Sequence, residues 1–379
     1  MIWKGLKFVL AFVGSLLGGL LIGACLAVAL TDTTFAQFFG KLTRLNLMEI
    51  VGVPLLSILS LFLAFFIVVT AHEAGHLLCG LLSGYKFVSF RIFNFTFIKE
   101  NDKLRIKRFS IAGTGGQCLL SPPDLPLEKI PTGWYNFGGI LANLILLAAA
   151  LPFLWVVKNP FACIFLVIFI AVDIILLLVN GIPMRLGGVT NDARNILTLR
   201  KDPLAKRSLV IQLKSNAMLQ AGVRPKDMPD EFFQVPPAID YRNPLEAALP
   251  LMQASRLIDM EDMAAAYESF SALESHKNEI IDLYAKEISC ELAFTALLTG
   301  HIEQARAILT EELLGYVNAY RRIMSSKQRL LCAKALYLDS DRSEAERIYR
   351  DLLSRQSQYL LKGEVASDIA LMQSMLRNG

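Results

Sequence analysis

Apolar residues in the first half of the chain fall in four long, nearly uninterrupted stretches. They cover residues 8–30, 50–71, 133–157 and 161–182, and a helix needs about 20 such residues to cross a bilayer. The pattern therefore predicts four transmembrane helices. The first stretch has two interpretations, an uncleaved anchor or a cleaved signal peptide, because lysines precede it and Ala27-Val28-Ala29 resembles a cleavage site.

The segment between the second and third stretches has a different pattern, in which Phe, Ile and Val alternate with polar residues. Lys86–Ile98 and Leu104–Ile111 are two such runs, and the polar residues at 100–103 provide a turn between them. This pattern predicts a β-hairpin over 86–111. Because its apolar content is high, we expect the hairpin to lie against membrane or protein.

Beyond the fourth stretch, apolar positions recur at helical spacing. Asp192–Gly222 predicts a basic helix, and five prolines between 225 and 244 indicate a linker. From residue 246 onward the pattern is helical throughout. The predicted organisation is a membrane domain over 1–199, a basic helix and Pro-rich linker over 200–245, and a soluble helical domain over 246–379.

The soluble helical domain contains a recurring pattern. Ala265, Ala305 and Ala345 are spaced by 40 residues, and each follows a short turn between two helical stretches. These segments resemble tetratricopeptide-like helical hairpins, whose usual repeat is about 34 residues. A non-repetitive helical bundle is the alternative. The repeat interpretation implies a protein partner bound by this domain.

Composition agrees with this division. Hydrophobic residues make up 54% of the 379-residue chain and charged residues 19%, against about a quarter charged in soluble domains. A soluble enzyme and a disordered chain are therefore excluded. The fold class we predict is mainly α, with a polytopic helical membrane core, a small membrane-associated β-hairpin and a soluble helical repeat domain.

The distribution of charge predicts the topology. The loop over 83–132 carries eight Lys and Arg residues, and residues 1–184 as a whole hold 13 basic and 8 acidic residues. The positive-inside rule places this loop, both termini and the C-terminal half in the cytoplasm. We expect a multi-pass protein of a plasma membrane, most consistent with a bacterium. The sequence has no basic patch interleaved with aromatic residues, so it does not indicate binding of nucleic acid. Its six cysteines are scattered and form no CxxC motif, which indicates free thiols.

The segment His72-Glu73-Ala74-Gly75-His76 carries the strongest chemical signal. Residues four apart share one face of a helix, so both imidazoles can bind one Zn²⁺, and Glu73 lies next to that face. In this H-E-x-x-H pattern the glutamate activates a zinc-bound water, whose pKa the metal lowers to about 7. Ionisable residues at membrane depth are costly, which favours a functional site over packing.

A catalytic zinc usually has three protein ligands and one open position. The third ligand must come from another segment, and two carboxylates are candidates. Asp192 follows the fourth stretch, after glycines that let the chain turn back, whereas Asp173 lies inside that stretch. Asp192 is the ligand we predict. His276 and His301 lie in the soluble domain and are expected to serve packing or the surface.

Over residues 50–195 the chain resembles the site-2 protease family of intramembrane zinc metalloproteases. His72–His76 matches the zinc motif of that family, Gly138–Leu144 resembles its glycine-to-asparagine segment, and Asn180–Pro183 resembles its asparagine-proline segment. The family usually has the ligand aspartate about five residues after the proline, where this chain has Gly188. Asp192 therefore requires a local insertion in the loop.

The resemblance implies hydrolysis of a peptide bond in or near the transmembrane segment of a membrane-anchored protein, with Glu73 as the catalytic residue. Asn143 and Asn180 would position the substrate backbone or stabilise the oxyanion; an interhelical hydrogen bond is the alternative for each. The hairpin would pair with the unwound substrate as an added strand. A second hypothesis is an inactive membrane scaffold that recruits partners through its repeats.

Overall fold

The computed structural model describes residues 48–100, 103–108, 115–186 and 188–378, together with positions 34, 36, 37, 40 and 46. Most of the described residues are helical, and a small antiparallel sheet follows the first long helix. The first predicted transmembrane stretch, residues 8–30, lies outside the described residues.

Among the described residues, three helices are long and apolar enough to cross a membrane. They are α1 (Val53–Leu82), α2 (Thr132–Ala150) and α3 (Pro160–Gly181). α1 continues well beyond the predicted end at residue 71, so the histidine motif lies inside the helix. α2 ends earlier than the predicted stretch, because the chain turns at Pro152 before the short helix Phe153–Val156.

Close contact between α1 and α2 depends on two glycines. A Cβ atom added to Gly75 would lie 2.2 Å from the carbonyl oxygen of Gly138, and one added to Gly138 would lie 2.3 Å from the carbonyl oxygen of Gly75. Small residues of this kind let the backbones of membrane helices approach closely. The approach brings α2 beside the two histidines of α1.

The sheet is larger than the predicted hairpin. Its strands are β1 (Lys86–Ile92), β2 (Phe95–Glu100), β3 (Lys103–Arg108) and β4 (Gly116–Ser121), in the order β3-β2-β1-β4, and every pair is antiparallel. The prediction of antiparallel β structure is confirmed, but the prediction of one hairpin over 86–111 is wrong. The 86–98 run folds back at Phe93, which has a left-handed φ of 52°, and a further strand, β4, follows the predicted hairpin.

The segment predicted as one basic helix is two. α4 (Asp192–Lys201) ends at Asp202, whose side chain accepts a hydrogen bond from the Ala205 backbone and begins α5 (Pro203–Ala221). Proline at the first helical position and a capping aspartate are typical of a helix start. The Pro-rich segment that follows is packed rather than extended, because Phe232 and Phe233 are buried in a core with α5 and the next helix.

The C-terminal domain consists of eight helices: α6 (Pro244–Asp259), α7 (Met263–Glu274), α8 (Asp282–Leu298), α9 (Ile302–Ile308), α10 (Glu311–Tyr320), α11 (Ser325–Tyr337), α12 (Arg342–Arg355) and α13 (Lys362–Asn378). Three of their turns have the same geometry. Glu261, Gly300 and Ser340 have left-handed φ values of 62°, 82° and 54°, and each stands directly before the N-cap of the following helix.

A buried alanine follows each of these turns, four residues after the N-cap. The three residues are Ala266, Ala305 and Ala345, and none has exposed surface. After the first turn the buried residue is Ala266, not Ala265 as the sequence pattern predicted. The reason is that Glu261 and Gly300 are 39 residues apart, whereas Gly300 and Ser340 are 40 apart. The alanines leave room for the preceding helix to pack against the following one.

Buried ion pairs join the helices of this domain, and one of them gives a stability prediction. The Lys327 ammonium has no exposed surface and lies 2.7 Å from the Glu287 carboxylate. Lys327→Met would leave that carboxylate without its cation, at an expected cost of about 3–5 kcal/mol in the free energy of unfolding. Lys277→Met, at an exposed pair with Glu274, should cost less than about 1 kcal/mol. Denaturant unfolding of the full chain measures both, and equal losses would contradict a buried, essential pair.

Candidate metal centre

The two histidines of the centre lie one turn apart on α1. Both side chains are buried, and their Nε2 atoms are 3.2 Å apart. His72 is ten residues from the end of the helix at Leu82, which corresponds to about 15 Å. The centre therefore lies well inside an apolar helix, where an unpaired imidazolium would be costly.

Asp192 reaches the histidines because the chain turns back after α3. Two short strands, β5 (Arg185–Leu186) and β6 (Val189–Thr190), form a hairpin that accommodates the extra residues between the proline and the aspartate. Gly188, at the position where the resembled family has its aspartate, has a φ of 85°, as the turn of this hairpin requires. The hairpin places Asp192 at the start of α4.

Asn191 fixes the end of this hairpin. Its amide nitrogen donates to the carbonyls of Val179 and Ile182, at 2.5 and 2.6 Å, and thereby joins α4 to the end of α3. Its side-chain oxygen accepts from the backbone N–H groups of Met184 and Arg194. Asn191 was not identified from the sequence; an asparagine immediately before an acidic first helical turn was the available signal.

Three ligand atoms converge. The Asp192 Oδ2 atom lies 3.1 Å from His72 Nε2 and 3.3 Å from His76 Nε2, and the two Nε2 atoms are 3.2 Å apart. A tetrahedral zinc with bonds of about 2.0–2.1 Å separates its ligand atoms by about 3.3 Å. The observed triangle therefore has the size of one face of a zinc coordination tetrahedron.

The hydrogen bonds on the far side of each imidazole determine which nitrogen faces the centre. His72 Nδ1 lies 2.6 Å from the side-chain oxygen of Asn143, and His76 Nδ1 lies 2.8 Å from the Tyr135 carbonyl oxygen. Both oxygens only accept, so Nδ1 carries the hydrogen and Nε2 presents a lone pair. Asp192 Oδ2 is buried and accepts no hydrogen bond from the part of the chain that the structure describes. Three lone-pair atoms thus face one another, an arrangement that a cation would stabilise.

Asn143 and Asp173 form a chain behind His72. The Asn143 amide donates to Asp173 Oδ1 at 2.6 Å, and neither residue has exposed surface. Asp173, the alternative third ligand, therefore supports Asn143 rather than joining the ligand triangle. Asn143 is placed to orient an imidazole. Asn180 donates to the Leu176 carbonyl within its own helix; a role for either asparagine toward substrate stays a prediction.

Glu73 lies between the histidines and the sheet. A Cβ atom added to Gly116, the first residue of β4, would lie 2.5 Å from Glu73 Cγ and 2.6 Å from its Oε1 atom. On the opposite helix, a Cβ atom added to Gly139 would lie 2.5 Å from both His72 Cε1 and His76 Nε2. The two glycines leave the space that the carboxylate and the imidazoles occupy.

Arg91 was not identified from the sequence as part of this region. Its guanidinium, on β1, is almost fully buried and donates to the carbonyls of Phe93 and Gly116 at 3.0 and 3.2 Å. It thereby connects β1 to the start of β4, next to Glu73. A basic residue within an apolar strand was the signal for it.

The remaining candidates behave as expected. His276 stacks on Tyr241 with 4.0 Å between ring centroids, and His301 stacks on Tyr267 at 4.2 Å. Both lie in the C-terminal domain and outside the ligand triangle.

Comparisons with protein families, curated proteins and solved structures give no match to this chain. The assignment of a function therefore depends on the geometry of the centre. Among the described residues, His72, His76 and Asp192 form the one group of three or more metal-binding side chains whose ligand atoms lie close together.

The contact of Asn143 with His72 gives a prediction about metal affinity. Asn143→Ala removes the acceptor that fixes the His72 tautomer, so we expect the affinity for zinc to fall about 10- to 100-fold. Asn136→Ala, on the same helix, removes a buried asparagine that bonds only to the Thr132 carbonyl, and should leave the affinity unchanged. Competition with a chromophoric chelator measures both; equal affinities in the two variants would contradict the role given to Asn143.

Proposed function

We propose that the protein is an intramembrane zinc metalloprotease that hydrolyses a peptide bond in or near the transmembrane segment of a membrane-anchored protein. The observation that carries this proposal is the convergence of His72 Nε2 and His76 Nε2, inside the apolar helix α1, with Asp192 Oδ2 from the start of α4. Glu73 lies on α1 beside the two histidines. A face of three ligands with a free fourth position is typical of catalytic rather than structural zinc sites.

In this proposal His72, His76 and Asp192 hold the metal. Zinc supplies acidification of water and polarisation of a carbonyl oxygen. Glu73 is the general base: it takes the proton from the attacking water and transfers it to the leaving amine. Asn143 and the Tyr135 carbonyl keep the two imidazoles in the tautomer that binds metal.

The sheet offers a way to present an extended substrate. β4 stands at one edge of the sheet, and its first residue, Gly116, lies against Glu73. A helical substrate must unwind before a peptide carbonyl can reach the centre, and an unwound segment can pair with an exposed strand edge. We infer that a substrate strand added along β4 would lead to Glu73.

The C-terminal helices are inferred to be a tetratricopeptide-like repeat that binds a protein partner. The support is the left-handed residue, the N-cap and the buried alanine that three turns have in common. The displaced aspartate is the feature that keeps the alternative, an inactive scaffold, open, whereas the intact His72, Glu73 and His76 argue against it. The hairpin over 185–190 accounts for that displacement, so the protease is the function we favour. A bacterial plasma membrane with both termini in the cytoplasm remains part of the proposal.

Metal removal tests the proposal. The full chain in lipid vesicles, with a membrane-anchored test substrate, should lose cleavage on treatment with a strong chelator and regain it on addition of one equivalent of zinc. The expected loss is at least about 100-fold, since the metal supplies both the acidified water and the carbonyl polarisation. Cleavage that persists in the protein shown to be zinc-free would contradict the proposal.

A further inference from the structure

A cavity of about 460 Å³ lies where α2 begins, and its volume is in the range of about 300–1,000 Å³ usual for ligand sites. One wall is formed by the residues before α2, among them Leu127, Ile130 and Pro131. The opposite wall is formed by Leu199 of α4 and by the start of α5. Most of the lining is apolar, which favours a ligand with hydrocarbon.

Two cations line the same cavity. Arg200 is exposed and forms no ion pair with any residue that the structure describes, and Lys206 donates only to the backbone carbonyl of Glu128, at 3.1 Å. Glu128 contributes the one carboxylate of the lining. The cavity therefore combines an apolar surface with an excess of positive charge, which fits an amphiphilic anion.

The position of the cavity identifies where such an anion would come from. Thr132, which lines it, is the first residue of a helix apolar enough to cross a membrane. Trp134, in the first turn of that helix, is 59% exposed, and exposed tryptophans mark the level of lipid headgroups. Basic pockets at this level are suited to phospholipid headgroups.

We propose that this cavity binds an anionic glycerophospholipid, with the phosphate between Arg200 and Lys206 and an acyl chain against the partly exposed Leu127, Pro131 and Ile196. The proposal goes beyond the protease function and does not depend on it. α4 nevertheless connects the two sites, since it begins with Asp192 and carries Arg200, its next-to-last residue, in the cavity wall.

Quenching of Trp134 fluorescence by brominated lipids tests the proposal. The full chain with Trp3→Phe and Trp155→Phe retains one tryptophan, beside the cavity. In detergent, brominated phosphatidylglycerol should quench the Trp134 fluorescence saturably, at a concentration about 25-fold below that needed for brominated phosphatidylcholine. The factor follows from a gain in affinity of about fivefold for each of the two cationic contacts. Millimolar inorganic phosphate should not relieve the quenching, because it lacks the acyl chain.

Neighbouring basic residues provide the matched control. Arg200→Gln and Lys206→Gln should each raise the half-quenching concentration of the anionic lipid about fivefold. Lys201→Gln removes the same charge one residue away, outside the lining, and should leave it unchanged. Equal quenching by the two lipids would overturn the proposal. A fivefold rise of the half-quenching concentration in Lys201→Gln would also overturn it, because it would show that diffuse surface charge attracts the lipid. If inorganic phosphate relieved the quenching, the proposal of a lipid would be wrong, and the ligand of the cavity would be a free anion. Circular dichroism verifies that each variant is folded.

Discussion

Glu73→Gln is expected to abolish cleavage of a membrane-anchored substrate while the zinc content of the purified protein stays at the wild-type value. The substitution keeps the size of the side chain against Gly116 but removes its ability to accept a proton. Loss of a general base lowers the rate by about 10²- to 10⁴-fold. Single-turnover cleavage in vesicles, with zinc measured on the same sample, gives both quantities.

A remote glutamate provides the control. Glu303→Gln, on the exposed surface of α9, should leave the rate unchanged. If Glu73→Gln cleaved at the wild-type rate, another residue would be the base. If it lost zinc together with activity, Glu73 would have to be a metal ligand, contrary to the triangle formed by His72, His76 and Asp192.

Asp192→Asn is expected to lower zinc affinity by more than about 100-fold, beyond the range of residues that only orient ligands. It replaces a carboxylate whose Oδ2 atom lies 3.1 and 3.3 Å from the two Nε2 atoms. Asp173→Asn should lower the affinity less than about tenfold, because its side-chain oxygen can still accept from Asn143. Zinc competition measurements on the two variants compare the candidate ligands directly.

The opposite order of these two effects would reverse the assignment of the third ligand. The comparison is well matched, because each substitution replaces a carboxyl group by an amide of the same size. Asp173 has no exposed surface and its Oδ2 atom has no hydrogen-bond partner. Retention of full zinc affinity in both variants would show that neither carboxylate binds the metal.

The histidine motif could be predicted from the sequence because its geometry is local. Residues four apart on any helix share a face, so His72 and His76 converge whatever the rest of the fold. Asp192 could be named as a candidate from its position after α3. The sequence did not indicate the hairpin over 185–190 that brings it back, because short strands of two residues have no recognisable period.

Contacts between distant segments were the part that the sequence left open. The bond from Asn143 to His72 depends on how closely α1 approaches α2, which Gly75 and Gly138 determine. Those glycines were noted as part of a motif, but their carbonyl contacts follow only from the packing. The strand pairing of β4 with β1 likewise joins residues about 30 apart, and the pattern of apolar positions does not indicate such partners.

In the C-terminal half, the sequence pattern predicted helices correctly but misplaced some of the turns between them. The break between α4 and α5 at Pro203 lay inside a continuous helical pattern, and Asp202 is the capping residue that marks it. The first buried alanine was placed one residue early, at Ala265 instead of Ala266. A fixed spacing predicts the buried position of each repeat correctly only if all repeats have the same length, and here the first is one residue shorter than the second.

The metal content and ligand environment of the purified full chain test the central claim most directly. We predict one zinc per chain, with X-ray absorption showing only nitrogen and oxygen ligands at about 2.0–2.1 Å, two of them imidazoles. Less than a tenth of an equivalent of zinc after loading would contradict the claim. So would a sulfur ligand at about 2.3 Å, because it would place the metal on one of the six cysteines rather than on His72, His76 and Asp192.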